Sequence, residues 1–415
     1  MSPPARGGQF SVTIVRLAVD LVLQAGSSMR GAAAGLALVA SRLGLDLEMP
    51  SFGAVRSWLL RLGCHALTCA LPVGAWVLLI DHTVQIGPCK LLVIVGCPLA
   101  RAPLGERPLR HSDLHLVGLS LMEHSTDAAV AAELEKACVR VGEVRQIVSD
   151  NGSDLNGGVK LFQQKHAGVA HGHDVAHQAA NVLKQRRQRD ESWSEFVSKL
   201  AQAGAKVRQT REAHLRPPTV RVKARFMNIA PTLRFARRVL TLLDTGQASA
   251  RTQESYGWLR EHREALANWQ SEQAVVESAL THVRTHGISQ GTVTALDAEW
   301  SKLALTPGAR DVAARLRTAA RIEGSQAKPG ESLVASTEVL ESVFGKLKRL
   351  EGSYAGDGFT GLSLTLGALC GDQTEEFTKA ALEAVPKKEA ENRVKRILGT
   401  TVQMFRRLFV STGKA

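Results

Sequence analysis

The sequence is poor in aromatics, which make up 5% of its 415 residues with only two tyrosines, and none of its six cysteines forms a Cys-x-x-Cys pair. Without cysteines at ligand spacing, neither a zinc knuckle nor a disulfide scaffold is expected. Cys64, Cys69, Cys89, Cys97, Cys138 and Cys370 read instead as reduced, mostly buried thiols. Long apolar runs are also missing. The stretches at 71–80 and 91–95 fall short of the ~20 residues a membrane-spanning helix needs, and no apolar segment with a cleavage site opens the chain, so no membrane span and no signal peptide are expected. Acid is in deficit as well: 39 Asp and Glu face 52 Lys and Arg, a net charge of +13. That balance points to a polyanionic partner, nucleic acid before an anionic membrane.

What is present is ordinary for folded protein, with 44% hydrophobic and 22% charged residues, over a length that suggests roughly two or three structural units. Apolar side chains recur at helical spacing over 11–25 and 29–43. Pro50 and Ser51 then start a third helix that Gly63 ends. Three short helices with a polar start to the third are the pattern of a helix-turn-helix module, with Arg56, Ser57 and Arg61 turned to DNA; a generic three-helix bundle has the same pattern. From residue 76 the period changes to two. The runs 76–81, 90–97 and 114–122 read as strands, 127–141 as an amphipathic helix and 145–150 as a fourth strand, giving β-β-β-α-β. A further helix is expected from Asp174. Between 185 and 330 strand signals vanish, and the segment from Lys184 to Arg238 holds fifteen Lys or Arg against four acids. A solvated helix face mixes signs, so this segment reads as a phosphate-contacting surface that includes Lys184, Arg186, Arg187 and Arg189. The predicted organisation is a helical bundle at 1–70, a core at 71–185 and 331–385, a basic all-α insertion at 186–330 and a basic amphipathic helix at 386–415.

Two carboxylates stand out against this framework. Asp81 closes the apolar strand WVLLID and Asp150 closes RQIVSD. A charge directly after a buried strand is costly unless it is a ligand or stands at a cleft, although an Asp before Asn-Gly is also a common turn former. Phosphodiester chemistry with two hard divalent ions uses carboxylates of this kind, fixed at strand ends. For a third, Glu338 and Glu341 lie on one helix face. With Ser336 as N-cap, Glu338 falls in the first turn, where acids suit the helix dipole, and Glu341 in the second.

Asp81-His82-Thr83, Ser149-Asp150-Asn151-Gly152 and the segment from Ser336 to Lys348 together resemble the three blocks of bacterial insertion-sequence transposases with an RNase H-like DDE core. His173 to Gln178 is similar to the helix after the second Asp in several of those families. The resemblance covers 76–185 and 330–370; the N-terminal helices and the insertion match only in kind. It implies an α/β RNase H-like core with a mixed sheet, a helix-turn-helix-like bundle and an all-α insertion. It also implies metal-dependent DNA cleavage and strand transfer by Asp81, Asp150 and Glu341, with Glu338 as the alternative third acid. The implied cofactor is Mg²⁺, with Mn²⁺ as a substitute, and the implied partners are double-stranded transposon ends and target DNA. A two-ended substrate implies a homo-oligomer, and the expected location is the nucleoid of a prokaryotic cytoplasm. Lys346 and Lys348 would face the DNA backbone. A nuclease that does not join strands and an inactive DNA-binding derivative are the competing readings.

Other residues carry weaker signals. Asp154 reads as a supporting ligand or a loop acid. His166, His171, His173 and His177 lack partner cysteines, so His177 facing the cleft is preferred to a zinc site. Trp193, Trp258, Trp269 and Trp300 could stack an extruded base, but helical core is the commoner role.

Overall fold

The computed structural model describes residues 2–86, 88–150, 152–219, 229–352 and 359–399. Contacts divide the chain into one unit of Met1–Pro103, Pro108–Gly172 and Thr337–Ala415, and a second of Leu104–Arg107 and His173–Ser336. The first is α/β. It opens with α1 (Val12–Leu23), α2 (Met29–Arg42) and α3 (Phe52–Ala66), each started by a serine, Ser11, Ser28 or Ser51, whose hydroxyl accepts a backbone N–H of the first turn. The sheet follows: β1 (Ala75–Ile86), β2 (Cys89–Pro98), β3 (His115–Met122), α4 (Asp127–Val141), β4 (Glu143–Ser149), α5 (Ser153–Lys165) and β5 (Ala170–His173).

The five strands lie in the order β3-β2-β1-β4-β5, with β1 antiparallel to β2 and parallel to β4. Side chains alternate across a strand, so each strand serves two faces. One face carries Trp76, Leu78, Ile80, Leu92, Ile94 and Ile147, packed on Val130 and Leu134 of α4 and on Leu155, Val159 and Phe162 of α5. On the other, Val77, Leu79, Val93 and Val95 are equally buried. The C-terminal helices α13 (Glu338–Gly352), α14 (Leu366–Leu369) and α16 (Lys387–Leu398), with α15 (Glu375–Ala384) between the last two, return to this unit; α13 packs on β1, and α14 and α16 pack on β3.

Those same helices enclose α3. It packs on α1 and α2 and is covered by α14, α15 and α16. Arg61 spends its guanidinium on the carbonyls of Val385, at 2.6 Å, and Leu382, and half-buried Arg56 lies beside Gly361. The face expected to read DNA is thus part of the packing between α3 and the C-terminal segment. Of the basic C-terminal helix expected over 386–415, the described residues form α16, which packs on α3 and β3 through buried Ala390 and Leu398.

The second unit is helical: α6 (Val175–Arg187), α7 (Glu191–Val207), α8 (Ala230–Asp244), α9 (Ala250–Tyr256), α10 (Arg263–His286), α11 (Thr292–Trp300) and α12 (Pro307–Gly324). Asp174 caps α6 through the backbone N–H of His177. Trp193, Trp269 and Trp300 are buried in its core and Trp258 is half-buried against it, so the first three indoles are packing residues and offer no surface for a base. Arg187 and Glu272 are 2% and 0% exposed and paired with each other. Arg186 joins them, reaching Glu272 at 2.8 Å and Asp311 at 2.6 Å. The Arg187 guanidinium lies over the rings of Trp193 and Trp269, 5.2 and 5.6 Å from their centroids.

Candidate active site

The last register pair between the parallel strands β1 and β4 is Ile80 with Ser149. Asp81 and Asp150 are the next residues on each strand. Neighbouring strands lie about 4.8 Å apart, so the backbones of these two half-buried acids lie side by side where β4 ends. β1 continues to Ile86, with Asp81 paired to Val93 of β2, so Asp81 does not close its strand as the run WVLLID implied. By alternation Asp81 shares the face of Leu79, on which α13 packs. Backbone N–H groups orient both acids: His82 donates to Asp81 Oδ1 at 2.6 Å and Gly152 donates to Asp150 Oδ1 at 2.8 Å. Asn151, between them in the sequence pattern, lies outside the described residues.

Gly152 is required here by space. A Cβ at this position would sit 2.9 Å from Asp150 Oδ1 and 3.2 Å from Asp154 Oδ1. Because those atoms are side-chain ends, they can move aside at little cost to the fold. Gly152→Ala is therefore expected to shift these two carboxyls while leaving the unfolding midpoint nearly unchanged, which thermal melts of the two proteins check.

Beside the two acids, on the α4–α5 side, a polar cluster forms that the sequence did not reveal as a unit. Lys90 Nζ is 2.7 Å from Asp154 Oδ2, and Ser125 Oγ is 3.0 Å from His82 Nε2. Asp154 belongs to the first turn of α5 rather than to a loop. Burial opposes its ionisation, but hydrogen bonds from Lys90 and Ser125 outweigh that and hold its carboxyl below the usual aspartate range. His82 is pushed down by burial and by Lys90, against the pull of Asp154 and Asp150, so its neutral ring is favoured. Asp154 is already neutralised by a lysine, which suits a supporting role. Its folded-state pKa is depressed, so its contribution to stability is full above about pH 4, the ordinary aspartate value, and is lost as pH falls through the lower folded value. Asp154→Asn should therefore lower the unfolding midpoint at pH 7, with the gap from wild type closing as the pH is taken below 4.

The third acid sits on α13, which begins at Glu338, so both Glu338 and Glu341 fall in its first turn rather than in successive turns as the cap at Ser336 would give. Exposure separates them: Glu341 is exposed, whereas Glu338 is half-buried. Glu338 lines a cavity of about 640 Å³ with Arg16, Asp20, His111, Ser342 and Lys346. Burial and Arg349 push the Lys346 amine down in that cavity, and Lys348 is exposed. Among the described residues no three of His, Cys, Asp or Glu converge closely enough to hold an ion. The strand register sets the backbones of Asp81 and Asp150 side by side, and both glutamates lie on a helix that packs on β1.

The histidines divide between the units. His171 lies on β5 and its Nε2 is 2.9 Å from Ser149 Oγ. In the second unit, His173 Nδ1 is 3.4 Å from Glu323 and His177 Nδ1 is 3.1 Å from Asp174. Of the cations expected on DNA, Lys184 and Arg189 are exposed, while Arg186 and Arg187 belong to the ion cluster around Glu272. No helix among the described residues is long and apolar enough to cross a membrane.

Sheet and helices together define an α/β protein with a mixed five-stranded sheet and a second, helical unit. The chain matches no family model and no curated protein. Among solved structures it is similar to the Drosophila P element transposase strand transfer complex, at 12% identity over 90% of this chain and 92% of that chain, with a TM-score of 0.40.

Proposed function

We propose that this chain is a DDE-type transposase with an RNase H-like core, cutting and joining DNA strands at the ends of a mobile element. The observation that carries the reading is the placement of Asp81 and Asp150 one residue beyond the Ile80–Ser149 pair on adjacent parallel strands. The sheet order β3-β2-β1-β4-β5, with β2 antiparallel to both β1 and β3 and β1 parallel to β4, supports the same reading. The third carboxylate is assigned to Glu341, with Glu338 as the alternative.

The donor set fits a hard divalent cation. Mg²⁺ is commonly held by one or two carboxylates, with phosphate oxygens and water completing its shell, so two aspartates and a bound DNA strand suffice to begin a site. Bound Mg²⁺, or Mn²⁺ in its place, would activate an attacking hydroxyl or water and stabilise the leaving oxygen. Asp81 and Asp150 would hold it, kept in place by the N–H groups of His82 and Gly152. The neutral His82 ring and the Lys90–Asp154 pair would back this arrangement without adding charge to it. Lys184, Arg189 and Lys348 are the exposed cations proposed to meet the phosphate backbone, while Arg56, Arg61, Arg186 and Arg187 hold the fold. Joining two ends to a target calls for at least two copies of the chain.

The test is incubation of the protein and Mg²⁺ with labelled duplexes from the DNA flanking its gene and a supercoiled target. Label joined to the target is the expected product. Hydrolysis without joining would make the chain a nuclease, and the absence of metal-dependent scission would overturn the enzyme reading.

A further inference from the structure

In the helical unit, α7 and the segment 208–219 enclose a groove of about 810 Å³. Val197, Leu200, Ala201, Pro217 and Pro218 give it an apolar lining, and Lys206, Arg208, Arg216 and Arg251 stand at it with no acidic residue among the lining groups. All four cations are exposed. Several other cations of this unit are matched with acids: Arg186 and Arg187 with Glu272, Lys199 with Glu195, Arg234 with Glu277, Arg263 with Asp244 and Arg317 with Asp297. Lys206, Arg208 and Arg216 have no ion pair among the described residues. Glu212 lies near Arg251, so three of the four cations stand without an acid beside them, and like charges so placed favour a polyanion from outside.

We propose that this groove binds single-stranded DNA. The cations take successive phosphates, and the apolar floor takes base faces that a duplex would keep stacked inside itself. Prolines and aliphatic side chains make up most of the floor, with Gln209, Thr210 and Thr219 as its neutral polar groups, so the binding depends little on base sequence. The proposal rests on the reading of the chain as a DNA enzyme and specifies the form of substrate its helical unit holds. It also places that unit's main phosphate contacts at 206–216 and 251, away from the arginines of α6 that are paired internally.

Fluorescence anisotropy of the full chain with a labelled oligothymidylate and with a duplex of equal length tests it. The groove variant Lys206→Gln/Arg208→Gln/Arg216→Gln is compared with Arg234→Gln/Arg263→Gln/Arg317→Gln, which changes net charge equally at acid-paired surface sites. Circular dichroism confirms that both are folded. The groove variant should lose tenfold or more in affinity for the single strand, and its slope of log K against log salt should fall by about 2, from roughly 0.7 per phosphate contact. The control should bind nearly as wild type does. Equal losses in both variants, an undiminished groove variant, or a wild-type preference for duplex would overturn the proposal. Metal-dependent scission of duplex ends that survives such a result would leave the transposase reading standing, whereas single-strand binding without any scission would remove that reading and keep the groove.

Discussion

Asp150→Asn, and separately Asp81→Asn, should abolish metal-dependent cleavage of element ends, with a fall on the order of 10³-fold or more, while the protein stays folded. The scale follows from comparison: removing a group that merely orients a metal ligand costs about 10- to 100-fold, and a ligand itself counts for more. Stability should be spared because both side chains are half-buried, Asp150 just past the end of β4 and Asp81 on β1, where the pairing with Val93 of β2 is made by the backbone and survives the substitution. Loss of the charge removes repulsion between two neighbouring acids, so either variant should melt at or slightly above the wild-type temperature in the absence of divalent ions. Addition of Mg²⁺ should then raise the midpoint of wild type and not that of the variants, since only a species bound to the folded state stabilises it. Rates and melts measured with and without Mg²⁺ on the same preparations check both halves.

Glu272→Ala should be the most damaging single change in the helical unit. Glu272 is fully buried and meets Arg186 and Arg187, of which Arg187 is itself buried between the rings of Trp193 and Trp269. Truncation would leave the buried Arg187 charge with only Asp190, 3.8 Å away, as a counter-ion, a loss of about 3 kcal/mol, the lower end for a broken buried pair, which corresponds to roughly 10 °C for a unit of this size. Replacing both partners by apolar residues, as in Glu272→Leu with Arg187→Met, should recover much of that loss, because no charge is then stranded. Calorimetry on the single and double variants separates the stranded charge from lost packing. An equal loss in both would assign the effect to packing.

The elements legible in the sequence were those with strong periodicity and clear caps. The helix expected over 127–141 is observed as Asp127–Val141 with Thr126 capping it, and the β-β-β-α-β order is as the alternating runs implied. The helix α5 was not legible, because Gly157 and Gly158 read as breakers. They are there for contact: a Cβ on Gly157 would lie 2.0 Å from Asp127 Oδ2, and one on Gly158 2.5 Å from Val130 Cβ. The sheet edge β5 was hidden too, since Ala-His-Gly-His has no strand propensity and is held there by its neighbours.

The site was legible to the same degree and for the same reason. Asp81 and Asp150 each follow an apolar run, which a linear pattern displays, although β1 continues past Asp81 to Ile86. That Lys90, Ser125 and Asp154 gather beside His82 depends on register and on α5, which the pattern did not. The expected roles of Arg61, Arg186 and Arg187 failed to anticipate burial: counting cations along a segment cannot distinguish a guanidinium facing solvent from one paired inside the core, and the partners, Leu382, Val385, Glu272 and Asp311, lie far away in sequence. Choosing between Glu338 and Glu341 by helical turn also failed, because the helix begins later than the Ser336 cap implied.

The claim that Asp81 and Asp150 form one cation site is tested most directly by iron-mediated backbone scission. Fe²⁺ replaces Mg²⁺, and ascorbate with peroxide generates radicals that cut the chain next to the bound ion. With DNA ends present, the predicted fragments map to cuts near residues 81 and 150 and near 338–341. Excess Mg²⁺ should suppress them, and they should be absent from the Asp81→Asn/Asp150→Asn protein. Cuts that fall elsewhere, or that persist in that double variant, would contradict the site.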